Sequence, residues 1–139
     1  MIFEKVDKVL KDIVFIYTTC FSIEEARLLG LSSINEKLAI SADYWSVDSI
    51  YPWNGVVREG NQYMLMLATQ RELSDELIKH IEMRHSYNIP MIARCDVPTT
   101  NYLYNSWVED TLNNKDEYIS EEEERIKEHN EEYRDSRLK

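Results

Sequence analysis

Three histidines and two cysteines, His80, His85, His129, Cys20 and Cys95, are the soft ligands this chain offers a metal ion. Copper(II) or zinc(II) takes about three or four N, S or O donors converging from one shell. His80 and His85 are five residues apart in what reads as one helix, which turns them about 140° from each other and prevents joint chelation. A metal site here therefore needs His85 with Cys20, or with a carboxylate from another strand or subunit. A structural histidine at a helix end is the plainer role for His85. Cys20 follows a strand and precedes a helix N-terminus, where the helix dipole can activate a thiol, but no acid or base stands beside it in sequence. Tyr51 and Trp53 either stack on a small ligand in a cleft between subunits or anchor a hairpin to a neighbouring subunit. Catalysis finds no support: there is no Ser-His-Asp ordering or paired-carboxylate motif, and three glycines in the whole chain argue against a phosphate cradle.

Composition narrows the classes further. A length of 139 residues suits one domain with a single core. The formal charge of −10 argues against nucleic acid, whose phosphates call for basic patches. No apolar run has the length of a membrane span, and Met1–Asp12 mixes acids with bases, unlike a signal peptide. Cytoplasmic residence is the expectation. Two cysteines make no disulfide framework and read as thiols.

The elements that must hold these residues follow from periodicity. Residues 1–11 space Ile2, Phe3, Val6, Val9 and Leu10 as a short docking helix or a frayed extension. Ile13–Tyr17 is a continuous apolar run, the pattern of a strand covered on both faces. Ser22 and Glu25 form a capping box that opens a helix, with Ala26, Gly30, Ile34 and Leu38 as its inward stripe. Gly30, unfavourable in a helix by about 1 kcal/mol against Ala, implies a close approach to the sheet. Ala39–Tyr51 reads as a long strand, Asn54-Gly55 as a hairpin turn and Gln62–Thr69 as the returning strand. In that strand Tyr63, Leu65 and Leu67 face one way and Met64, Met66 and Ala68 the other. Ser74 or Asp75 is expected to cap a second helix that carries Leu77, Ile78, Ile81 and, on the same side, His85, and that Pro90 stops. Met91–Val97 is a short strand. Asn101–Leu112 is a third helix with Leu103 and Trp107 together on one side.

This order predicts an α+β, ferredoxin-like βαββαβ fold: an antiparallel four-stranded sheet with two helices on one face, plus a C-terminal helical extension. Two helices leave one sheet face open although both faces of the third strand are apolar, which points to burial between subunits. The expected division is a domain over 1–112 and an acidic tail over 113–139. The tail has ten acids against six bases. Its Ser120 opens another capping box, and Glu121–Arg125 and Glu123–Lys127 are favourable pairs. Ile119, Ile126 and Tyr133 recur every seven residues, too narrow a seam for a coiled coil, so a solvated helix is expected.

Several motifs carry a resemblance. Thr18-Thr19-Cys20 closes the first strand, and Glu24-Glu25-Ala26 opens the helix behind it. Ser49-Ile50-Tyr51-Pro52-Trp53-Asn54-Gly55 resembles the Ser-Ile-Tyr-x-Trp-x-Gly hairpin of the CutA divalent-cation-tolerance family. His85–Ile92 is similar to that family's His-Pro-Tyr-x-x-Pro-x-Ile stretch, and Asn101, Tyr104 and Trp107 fit its closing Asn-x-x-Tyr-Leu-x-Trp pattern. The likeness runs from about Ile13 to Leu112. It implies a tight homotrimer, related in architecture to PII-type signalling proteins, with Tyr51, Trp53, Thr69 and Tyr87 at a ligand cleft or trimer interface. It also implies copper or another divalent cation as the ion to consider, with His85 at a matching position; Cys20, close in sequence to Thr18, joins it as a metal-site residue on its own chemistry.

The departures from the family pattern bear on function. Ser41 stands where a cysteine is common, Ala68 precedes Thr69 where a lysine is usual, and Gln62 replaces a glutamate. Ser86 replaces the proline of His-Pro-Tyr. Copper-binding members place a thiol and a His-His pair where this chain has Thr18 and Arg84-His85, so one imidazole survives and specific copper binding is expected to be weak or absent. Three functions follow: a metal-tolerance protein without catalytic activity, a PII-like trimer binding a small molecule or protein at inter-subunit clefts, or a structural trimer displaying the acidic tail.

Overall fold

The computed structural model describes residues 10–138, with side chains through residue 135; the expected N-terminal docking helix over 1–11 lies almost wholly outside the described residues. Elements follow in the order β1 (Ile13–Cys20), α1 (Ile23–Asn35), β2 (Ser41–Trp53), β3 (Val56–Gln70), α2 (Arg71–Arg84), β4 (Ile92–Asp96), α3 (Tyr102–Asn113) and α4 (Glu121–Leu138). The sheet order is β2-β3-β1-β4, with every pairing antiparallel. This is the expected ferredoxin-like arrangement.

Registration assigns the faces. Ile16 opposite Leu67 and Thr18 opposite Leu65 turn towards α1 and α2, where Leu65, Leu67, Leu77, Ile81, Ala26 and Leu29 form the main core. The capping box at α1 is real: Glu25 N–H donates to Ser22 Oγ at 3.1 Å. Gly30 lies against the sheet as expected, since a Cβ there would stand 2.9 Å from Ala42 Cβ. The inward stripe differs from the expected one. Leu29 and Ser33 join Ala26 and Gly30 in it, while Leu38 lies beyond the helix end, where the chain turns through a left-handed Lys37, φ 60°.

Four further expectations are corrected. β3 begins at Val56 rather than Gln62, so the hairpin closes tightly on Asn54-Gly55, with positive φ at both residues as a type I′ turn requires. Val56–Asn61 lacks an apolar alternation because both faces of this arm meet solvent. α2 follows β3 without a break. Its N-cap is Gln70, and Ser74 sits inside the first turn, donating to Arg71 O at 2.7 Å. It ends at Arg84, well before Pro90, with His85 as its C-cap.

The fourth correction concerns α3, whose phase is rotated. Leu103 and Trp107 face outward, 78% and 52% exposed, and Val108 and Leu112 are buried. They pack with Ile13, Ile40 and Ala68, and with Phe15 and Tyr104 beside them, so α3 covers one end of the sheet face that two helices leave open. Gln70 fastens it, donating from Nε2 to Glu109 Oε2 at 2.7 Å. Met64, Met66 and Tyr17 on the rest of that face are half-buried. α4, exposed throughout its described side chains, is the solvated helix expected of the tail, with Glu123 N–H capped by Ser120 Oγ at 3.1 Å.

Candidate functional site

β1 alternates, so Thr18 and Cys20, two residues apart, both point to the helix side. α1 begins just beyond it, and its capping-box acid Glu25 hangs over the strand end. α2 stops at the same end and delivers His85. The result is a cluster in which donor atoms of Cys20, Glu25 and His85 all lie within 4.8 Å of one another. Sequence reasoning paired His85 with Cys20; the carboxylate it left open is Glu25, which capping had already accounted for.

Each donor in the cluster is engaged. The Tyr87 backbone N–H donates to His85 Nδ1 at 3.1 Å, which places the ring proton on Nε2. That nitrogen faces the Thr19 carbonyl at 2.9 Å and Thr18 Oγ1 at 3.1 Å. Glu25 accepts from Phe21 N–H through Oε1 at 2.9 Å and from Ser86 N–H through Oε2 at 2.8 Å. Burial opposes the Glu25 charge, but the hydrogen bonds from Ser86 and Phe21, with His85 nearby, outweigh it and hold the carboxyl below its ordinary value. Cys20 is fully buried. Burial first, and the Glu25 charge second, push its thiol up from 9.0 to about 12, the opposite of the activated thiol a helix N-terminus can produce.

The donor types suit copper or zinc, which need about three protein ligands and an open position. Donors in a tetrahedral shell stand roughly 3.3–3.8 Å apart, so donors as far as 4.8 Å from one another must draw together by up to about 1–1.5 Å. Coordination would nevertheless require a thiolate from a thiol held neutral, and one ring nitrogen freed from its hydrogen bond. The remaining histidines stand apart. His80 is buried between α1 and α2, its Nε2 2.9 Å from Ser32 Oγ; burial, then Arg84, lower its pKa. Arg84 turns back to its own helix, donating to His80 O at 3.1 Å. His129 is exposed on α4.

The aromatic candidates divide. Tyr87 donates its hydroxyl to Gln62 Oε1 at 2.7 Å, at the base of the β2–β3 arm. Burial chiefly, and then Glu25, Tyr51 and Cys20, raise its pKa, so Tyr51 and Tyr87 share one electrostatic neighbourhood with the cluster. Trp53 lies at the arm tip, half exposed. Thr69 is not brought to them. It is buried seven residues along β3 from Gln62, donating to Leu38 O at 2.6 Å.

Comparison with known proteins identifies relatives of one kind. A family model described as CutA1 divalent ion tolerance protein matches residues 14–111. A Thermococcus kodakarensis protein named divalent-cation tolerance protein CutA is 30% identical over 95 residues, 68% of this chain and 91% of that one. A rice protein named CutA 1, chloroplastic, is 27% identical over 99 residues, 56% of its own length. Among solved structures, Ehrlichia chaffeensis CutA1 superposes with a TM-score of 0.72 at 26% identity, covering 75% of this chain and 98% of that one.

Proposed function

The chain belongs to the CutA1 divalent ion tolerance family, and from that membership we propose that it is a self-associating, non-catalytic member whose Cys20–Glu25–His85 cluster takes a divalent cation weakly. One observation carries this reading: three donors of the right chemistry converge within 4.8 Å, yet hydrogen bonds and burial already claim each of them. The cluster's first task is structural, joining β1, α1 and the end of α2, and an ion competes with that task. Titration calorimetry with zinc(II) and copper(II), on reduced protein with a dilute competing chelator, is the test. Dissociation constants weaker than about 1 μM are expected, well short of the affinity of a committed structural site. Submicromolar binding at one ion per chain, lost in His85→Ala or Cys20→Ser, overturns the reading.

Self-association rests on the arm. Ile50 and Val57 are 70% and 72% exposed on one face of the arm, and Tyr51, Trp53 and Val56 line its other face, an apolar display on both sides that invites burial against a partner. We assign it to a homotrimer. A cytoplasmic location accords with two unpaired cysteines, one of them exposed, and cell fractionation checks it; the rice relative is named chloroplastic and an Archaeoglobus fulgidus structure periplasmic.

A second reading places a small ligand or partner protein at the base of the arm, supported by the grouping of Tyr51, Tyr87 and Gln62. A thermal-shift screen against nucleotides and organic acids tests it: a stabilising hit abolished by Tyr51→Ala supports this reading, and the absence of any hit counts against it.

A further inference from the structure

Beyond the family-matched residues 14–111, the chain leaves α3 at Asn113 and forms α4 from Glu121. The connecting segment 114–120 is mostly polar and exposed, but through Tyr118 it touches the body at a well-defined place. The Tyr118 ring lies against Lys37 Nζ, 3.3 Å from nitrogen to ring centroid.

Lys37 is unusual in two independent ways. It occupies the position just past the C-cap of α1, where Lys37 N–H bonds Ile34 O at 3.0 Å and Leu38 N–H bonds Ser33 O at 3.0 Å. This is a Schellman turn, which demands a left-handed residue and favours glycine; Lys37 adopts φ 60° there despite its side chain. Its ammonium is also buried without a hydrogen-bond partner among the described residues. A buried cation is costly unless something replaces its water, and the face of an aromatic ring is one of the few neutral groups that can.

We propose that Tyr118 and Lys37 form a latch that fastens segment 114–120 to the end of α1. The acidic helix α4 then leaves the body from a fixed point, and opening the latch frees the helix and uncovers the cation together. A lysine is kept where glycine fits better because its ammonium holds the strap.

Amine acetylation of the folded full chain, read residue by residue by peptide mass spectrometry, tests this. Lys79 and Lys115, both exposed, serve as internal references. Lys37 is expected to label roughly tenfold more slowly than they do, as a desolvated cation–π pair implies. Tyr118→Phe keeps the ring and the protection; Tyr118→Leu removes both, bringing Lys37 close to the reference rate. Labelling of Lys37 as fast as Lys79 in the native chain, or protection that survives Tyr118→Leu, overturns the proposal. Lys37→Gly provides the second arm. It relieves the left-handed turn, so the thermal midpoint holds or rises, while tryptic cleavage after Lys115 accelerates several-fold. A stable Lys37→Gly protein with unchanged cleavage refutes the latch.

Discussion

His85 shows how one side chain can look like a ligand and serve as a rivet. Its ring joins Thr18 and Thr19 on β1 to the Tyr87 backbone, so a metal must first undo part of the fold. Thr18 occupies the position where the resemblance places a thiol, and its hydroxyl is 3.1 Å from His85 Nε2. Thr18→Cys is therefore expected to tighten zinc binding by about tenfold or more, because a soft donor is added beside an imidazole already in place; calorimetry measures it. Cys20 makes a pH prediction. Its thiol titrates near 9.0 in the unfolded chain and about 12 in the fold, so above pH 9 the unfolded state binds fewer protons than the native one. Stability is then fully present below pH 9 and falls by about 1.4 kcal/mol per unit above it. Denaturant melts of the native chain and Cys20→Ala across pH 8–10.5 should diverge in slope. Disulfide-exchange reagents at pH 8 should modify exposed Cys95 and leave Cys20 untouched. Cys20 and His85 were each legible in the sequence as candidates at element ends, but no local pattern could bring the sulfur to the ring, which the β1–α2 packing does. Glu25 was not legible, since its bond to Ser86 spans 61 residues and local pattern explains it as a cap.

At the scale of elements, what was legible is what alternates or repeats over a buried face. The strand-helix order, the Asn54-Gly55 turn and the capping box came from such signals. The phase of α3 was missed because Leu103 and Trp107, four residues apart, read together as one apolar side, whereas the gap beside Ile13, Ile40 and Ala68 admits Val108 and Leu112. Leu112→Ala should therefore lower stability by about 2–3 kcal/mol, and Leu103→Ala by no more than about 0.5 kcal/mol. Equal effects in chemical denaturation would restore the expected phase. Gly30 permits a sharper test of packing. Alanine there gains about 1 kcal/mol of helix propensity but forces two Cβ atoms from 2.9 Å apart, an overpacking of roughly 1–3 kcal/mol. Gly30→Ala is thus expected to destabilise by about 1 kcal/mol net, with Ala42→Gly in the same chain recovering most of the loss. Additive single and double mutants would show that α1 and β2 do not press on each other.

For the molecule as a whole, the arm proposed for assembly and the tail fall at opposite ends of the β2–β3 ribbon: Trp53 and Val56 close one end, and Ser41 pairs with Ala68 near Lys37 at the other. Trp53→Asp should weaken self-association, because it sets a charge where an apolar anchor docks. Light scattering on a sizing column would show the drop in mass, and an unchanged mass counts against the arm as the contact. A stop after Ser120 removes α4, whose described side chains through residue 135 are exposed, and should leave the melting temperature nearly unchanged. A stop after Asn113 also removes Tyr118, and should lower the melting temperature by a few degrees. The ribbon itself works as a ruler. Its ladder runs unbroken from the core to the turn, and side chains alternate with period two, so a single inserted residue at Asn54-Gly55 misfits the tight turn. Two added residues on each strand instead extend the reach by about 6.6 Å, keep the faces of the tip and the pairing at the turn, and leave every core contact in place. The reach of the arm towards the proposed neighbour can therefore be lengthened or shortened in such paired steps without renegotiating the fold that carries it.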